Sequence, residues 1–263
     1  MGVDGQHRRL VDLPAPPESL ASGGLARLAP PARSAYFLDV DGTLLEIRPR
    51  PEDVAADSRL RGLIAATAAA AGAALALVSG RKIDDLDRIF SPMILPAAGL
   101  HGAEIRFFDG ARIVAQTDVM EAARPKLRDF AARHRGLILE DKGATLALHF
   151  RQRPELAEDV IAILDSVART TGLAVQRGKM VAELKQAGHS KATAIEALLA
   201  SAPFAGRTPV FVGDDLTDES GFDFVNAQGG VSIRVGSTEG ATAARFQIGD
   251  PVRLRQELAA LVV

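Results

Sequence analysis

Short apolar runs alternate with amphipathic stretches along the first third of this chain. Ala35, Tyr36, Phe37 and Leu38 form an apolar run that reads as a buried strand. After a loop with Pro49 and Pro51, residues Leu60, Leu63, Ile64, Thr67, Ala68 and Ala71 recur at helical spacing. Asp57 or Ser58 is placed to cap that helix and Gly72 to stop it. Residues 73–78 predict a second strand, 84–90 a helix and 94–98 a third strand. This alternation predicts a parallel sheet covered by helices on both faces.

The pattern changes near residue 103. Residues 104–108 and 112–116 flank Asp109-Gly110, a hairpin signal. A helix follows to about Arg135, then strands over 137–140 and 144–150. Leu156, Val160, Ile163, Leu164 and Val167 mark another helix, and strands over 173–176 and 181–184 close the segment. The order αββαββ implies a small α+β unit with an antiparallel sheet. The α/β pattern resumes at Lys191, with strands expected over 209–212 and 231–235 and a last helix to Leu261. The expected fold class is therefore α/β. Residues 34–116 and 188–263 form a doubly wound, mostly parallel sheet, and residues 117–187 are inserted into it as a second, smaller domain. Residues 1–33 carry Pro14, Pro16, Pro17, Gly23, Gly24, Pro30 and Pro31 and read as a flexible arm.

Composition narrows the partners more than the fold. The 263 residues are 47% hydrophobic and 24% charged, an ordinary globular balance. A net charge of -2 gives no electrostatic case for nucleic acid or an anionic membrane. No apolar run approaches a membrane span, and Arg8 and Arg9 are not followed by the apolar stretch of a secretory leader. Cysteine is absent, which excludes disulfides, thiol catalysis and cysteine metal sites. A monomer in a reducing, cytoplasmic setting is expected.

The candidate chemistry sits where strands end. Asp39-Val40-Asp41-Gly42-Thr43 follows the first strand. With a period of two, the Asp39 and Asp41 side chains can project to one side. At an effective dielectric near 20 and a separation of about 4 Å, two such carboxylates repel by roughly 4 kcal/mol. A cation, a shared proton or solvation must relieve that. A calcium loop fits poorly, since its sixth and twelfth positions would hold Leu44 and Arg50. A solvated acidic turn and a nucleophilic carboxylate with an acid/base partner both remain open here.

Asp214, Asp215, Asp218 and Glu219 crowd the turn after the 209–212 strand. One or two of them can cap a helix, with Thr217 or Asp215 as the capping residue. A hard cation shared with Asp39 and Asp41 accounts for more of them. Ser79-Gly80 at another strand end offers a hydroxyl and free backbone N–H groups to an anion. Lys191 follows Ser190 in the first turn of its helix, where a phosphate would offset both the lysine charge and the helix dipole.

Asp-x-Asp-Gly-Thr, a strand-end Ser, a Lys and an acidic strand-end turn, in this order, resemble the haloacid dehalogenase-like phosphohydrolases. The insert between the Ser and Lys stations looks like that superfamily's larger cap. The resemblance narrows at Ala98-Gly99-Leu100-His101-Gly102-Ala103-Glu104, at Glu140-Asp141-Lys142-Gly143, at His149 and Arg151, and at Gly178-Lys179-Met180-Val181-Ala182-Glu183. These are similar to the signatures of the trehalose-6-phosphate phosphatases. The resemblance implies a Mg²⁺-dependent phosphatase with Asp39 as nucleophile and Asp41 as acid and base. Its metal residues would be Asp39, Asp41 (through its carbonyl), Asp214 and Asp218, with Asp215 and Asp218 orienting metal-bound waters. Thr43, Ser79, Gly80 and Lys191 would bind phosphate, and His101, Glu140, Lys142, Arg151, Lys179 and Glu183 the sugar. Trehalose 6-phosphate is the implied substrate, with a functional link to a trehalose-phosphate synthase. A phosphatase for another sugar phosphate such as sucrose phosphate, a phosphohexomutase and a non-catalytic binding module stay as alternatives. Charged residues beside short strands, read alone, are equally a solvated sheet face, and His149 a core histidine.

Overall fold

The computed structural model describes residues 16–48, 54–178, 180–237 and 240–262. Among them a nine-stranded sheet runs in the order Glu18–Ser19, Phe246–Ile248, Val231–Val235, Thr208–Gly213, Ser34–Leu38, Leu75–Val78, Ala97–Gly99, Glu104–Arg106, Arg112–Val114. Pairing is parallel through Ala97–Gly99 and antiparallel across the last two strands. The central strands are apolar on both faces because helices cover both. Tyr36, Leu38, Leu75, Leu77, Val210 and Val212 feed one core, and Ala35, Phe37, Ala76, Val78 and Phe211 the other. The Ser58–Ala70 helix begins at Asp57, whose carboxylate accepts from Leu60 N–H at 2.7 Å.

A second sheet of four antiparallel strands runs Ile138–Asp141, Thr145–His149, Val181–Gln186, Leu173–Gly178. The helices Arg124–Arg133 and Ala157–Thr171 lie on one of its faces. There Leu146, Leu148, Ala182 and Leu184 pack against Leu127, Val160, Leu164 and Val167. Alternation leaves Thr145, His149 and Glu183 on the other face.

One expectation needs correction. Residues 16–33 are not a loose arm. Glu18 and Ser19 pair with Phe246 and Gln247, and Leu25 and Ala29 are fully buried. The buried Glu257 carboxylate accepts from Gly23 N–H and Leu25 N–H, so the turn of Pro- and Gly-rich chain is held by a cap supplied from the other end of the sequence. Residues 1–15 lie outside the described residues. The strands Phe246–Ile248 and Glu18–Ser19 carry no periodic signal of their own and went unpredicted. Among the described residues no helix is long and apolar enough to cross a membrane.

Candidate active site

The strands Ser34–Leu38 and Thr208–Gly213 are neighbours, so their carboxyl ends bring Asp39 and Asp214 together. Gly42 adopts φ 79°, and a β-carbon there would run into the Asp214 carboxylate, so the turn requires glycine twice over. One carboxylate oxygen each from Asp39, Asp214 and Asp218 lies within 4.8 Å of the others. Lys191 Nζ donates to Asp39 Oδ1 at 2.9 Å and to Asp218 Oδ1 at 2.5 Å. Ser190 caps the lysine's helix through a reciprocal pair with Thr193. The second Asp218 oxygen accepts from the N–H groups of Asp214 and Asp215 at 2.9 and 3.0 Å. Thr43 Oγ1 lies 3.4 Å from Asp39 Oδ2 and 3.2 Å from Asp214 Oδ1.

Three carboxylates therefore face one ammonium in a buried setting. Burial opposes the charge on Lys191, but Asp218 and Asp39 hold the ammonium well above its ordinary range. Burial, with Asp218 and Asp214 nearby, raises Asp39 well above the usual carboxylate range against the pull of Lys191. Burial, Asp218 and Asp215 push Asp214 up to about 7. The excess of negative charge is what an oxygen-liganded divalent cation would balance, and the donor set suits one. Asp215 lies close enough to act on Asp214 and Lys191 through its charge. Its Oδ1 accepts from the Thr217 N–H and hydroxyl, so it also caps the turn.

The Asp41 carboxylate lies outside the cluster. Arg81 grips it with two hydrogen bonds of 2.7 Å, from Nε and Nη2. The pair is bidentate and partly buried, the strong form of an ion pair. Arg81 was not picked out from sequence, where it follows Ser79-Gly80 as an ordinary loop cation. Ser79 is buried, and its hydroxyl accepts from Arg81 N–H at 3.2 Å.

The polar face of the four-stranded sheet meets this edge. Glu183 is 5% exposed. Its carboxylate takes hydrogen bonds from Thr145 Oγ1 and from Lys142 Nζ at 3.4 Å, and stands 3.1 Å from His101 Nε2. Burial would raise its pKa, yet Lys142, His101 and Thr145 together hold it well below the usual range. Lys142 Nζ also donates to the Gly80 carbonyl at 3.2 Å. Glu140 pairs with His149 at 2.8 Å, so His149 is not an apolar-core histidine. Arg151 is exposed, and among the described residues its side chain has no ion pair or hydrogen bond. Lys179 lies outside the described residues. Glu183 thus departs from the solvated-face reading, and Thr145, missed from sequence, completes its shell.

The sequence profile of the trehalose-phosphatase family matches residues 37–251. The trehalose-6-phosphate phosphatase of Escherichia coli K12 is 43% identical over 221 residues, 82% of either chain. The crystal structure of a trehalose-6-phosphate phosphatase related protein, 27% identical, superposes with a TM-score of 0.70 over 85% of this chain and 95% of that one. A haloacid dehalogenase-like hydrolase from Bacteroides thetaiotaomicron, 18% identical, shares the fold at a TM-score of 0.62, over 86% of this chain and 98% of its own. By its strand order, its profile and its relatives, the chain belongs to the trehalose-phosphatase family, built on the haloacid dehalogenase-like fold.

Proposed function

We propose that this protein hydrolyses trehalose 6-phosphate to trehalose and phosphate, as a phosphoric monoester hydrolase of trehalose biosynthesis. The observation that carries the reading is the convergence of Asp39, Asp214, Asp218 and Lys191 at one sheet edge, roofed by the polar face that holds Glu183. The Asp39 carboxylate attacks phosphorus, forming an aspartyl phosphate as the sugar oxygen leaves. Asp41 gives that oxygen its proton and then takes one from the water that hydrolyses the intermediate. Arg81 fixes the orientation of the Asp41 carboxylate by binding both of its oxygens. Lys191, Thr43, Ser79 and the Gly80 backbone hold the phosphoryl oxygens. The second sheet acts as a cap that excludes water and selects the sugar. A cytoplasmic setting and a functional link to a synthase that makes the sugar phosphate belong to the same proposal.

Mg²⁺ would be held by Asp39 and Asp214, with the Asp41 carbonyl and Asp218 in support, and when bound would neutralise phosphate charge. Chelation with EDTA should stop phosphate release, and added Mg²⁺ should restore it. Stability gives an independent readout. Asp214 sits near 7 instead of in the ordinary carboxylate range. Over that window the folded state keeps a proton that the unfolded chain has lost. Stability of the chelated protein therefore falls as pH rises toward neutrality. A cation relieves the repulsion, so Mg²⁺ is expected to raise Tm more at about pH 8 than at about pH 5.5. A Tm indifferent to Mg²⁺ at both values would remove the metal from the account.

Arg151 offers a clean test of sugar recognition because its loss strands no partner among the described residues. Arg151→Ala should lower kcat/KM for trehalose 6-phosphate by roughly tenfold or more, the scale of one lost charged hydrogen bond. Lys142→Ala should do the same. Turnover of a small aryl phosphate should fall much less in both. Equal losses on the two substrates, with the fold verified, would assign these residues to structure instead.

A further inference from the structure

Leu100 and His101 are consecutive non-glycine residues with φ 50° and 53°. Such backbone persists only where its surroundings dictate it. Here the turn is bonded to the loop that carries Ser79. Leu100 N–H donates to the Arg81 carbonyl at 2.9 Å, and His101 N–H to the Ser79 carbonyl at 3.1 Å. The imidazole lies directly on Gly80, where an added β-carbon would stand 2.5 Å from Nε2. From the other side the four-stranded unit takes hold of the same turn. Glu183 Oε2 is 3.1 Å from His101 Nε2, and Leu100 buries itself against Ala144, Ala103 and Ala115. Lys142 reaches across to the Gly80 carbonyl. Among the described residues the buried His101 Nδ1 has no partner, which leaves Nε2 as the ring nitrogen that does the binding.

We propose that His101 is a positioning residue that couples the seating of the small sheet to the shape of the Ser79–Arg81 loop. The inference rests on the reading of that loop as the phosphoryl site. With the small sheet seated, Glu183 pins the imidazole onto Gly80, and the loop presents Ser79 and the Arg81 grip on Asp41. With the sheet lifted, the imidazole loses its carboxylate, the left-handed turn loses its support, and the loop relaxes. A substrate whose sugar holds the sheet down thereby assembles the site that cleaves it, whereas a small phosphomonoester does not. His101 then contributes to selectivity through kcat, without needing to touch the sugar.

The absence of cysteine makes the motion measurable. Arg59 and Glu158 are exposed, one on a helix of the large sheet and one on a helix of the small unit. An Arg59→Cys, Glu158→Cys protein carrying two spin labels reports the distance between the units by pulsed dipolar spectroscopy, without substrate. In this background His101→Ala is expected to move the distribution to longer, broader distances. Lys142→Met, which acts from the other unit, should do likewise. In unlabelled protein, His101→Ala should lower the ratio of kcat/KM for trehalose 6-phosphate to that for an aryl phosphate by about tenfold or more, chiefly through kcat. His101→Gln keeps an N–H for Glu183 and should recover most of that ratio. Unchanged distances in both variants would overturn the proposal. So would a ratio for His101→Ala within about twofold of the parent. A parent protein that cleaves aryl phosphate but no sugar phosphate would instead overturn the substrate reading, and the distances would still decide the coupling.

Discussion

Asp39→Asn is expected to lower phosphate release by at least about 10⁴-fold, the scale on which nucleophile removal acts in other hydrolases. It should do so without unfolding the protein. Lys191 can still donate to the amide oxygen that replaces Oδ1. Thr43 can accept from the new amide and turn its own proton toward Asp214. One of three crowded carboxylates is neutralised, so Tm should hold or rise, as is common when a catalytic charge is removed. Asp41→Asn should also cripple turnover, by roughly 10²- to 10⁴-fold for loss of an acid and base. Near-normal release by purified Asp39→Asn would contradict covalent catalysis at this residue.

Lys191→Met is expected to have the largest effect on stability. The ammonium is 3% exposed and serves both Asp39 and Asp218. Removing one partner of a buried ion pair typically costs about 3–5 kcal/mol, because the remaining charge stays buried and uncompensated. The loss should be read as a drop in the denaturant midpoint at neutral pH. It should shrink in acid, where Asp39, raised by burial, can take up a proton. It should also shrink in millimolar Mg²⁺, which can take over the missing positive charge. A variant as stable as the parent at neutral pH would show that the carboxylates are already neutral or hydrated, and the charge argument for the cation would fail with it.

The edge that gathers Asp39 and Asp214 was legible because each follows the end of a strongly apolar strand. The Ser34–Leu38 and Thr208–Gly213 strands announce themselves by composition, and parallel pairing then forces Asp39 beside Asp214. Ser190 before Lys191 is a local signal as well, and the cap it predicted is present. What sequence could not supply was pairing across long separations. Nothing near Asp41 indicates that Arg81, forty positions on, would hold its carboxylate. Nothing near Glu183 says that a charged residue in a strand would be buried, since its partners come from two distant segments, His101 from one and Lys142 and Thr145 from the other. The docking of residues 16–33 escaped for the same reason. Pro and Gly made that stretch look loose, while Glu257, more than 230 positions away, caps it.

Inorganic phosphate release from a panel of phosphomonoesters under Mg²⁺ tests the substrate assignment most directly. The panel holds trehalose 6-phosphate, sucrose phosphate, glucose 6-phosphate and an aryl phosphate, with the sugar products checked for isomerised phosphates. The expected result is a kcat/KM for trehalose 6-phosphate that exceeds each of the others by about two orders of magnitude or more, with no isomerised sugar phosphate. Equal or greater kcat/KM on another sugar phosphate, or isomers formed in place of free phosphate, would contradict it.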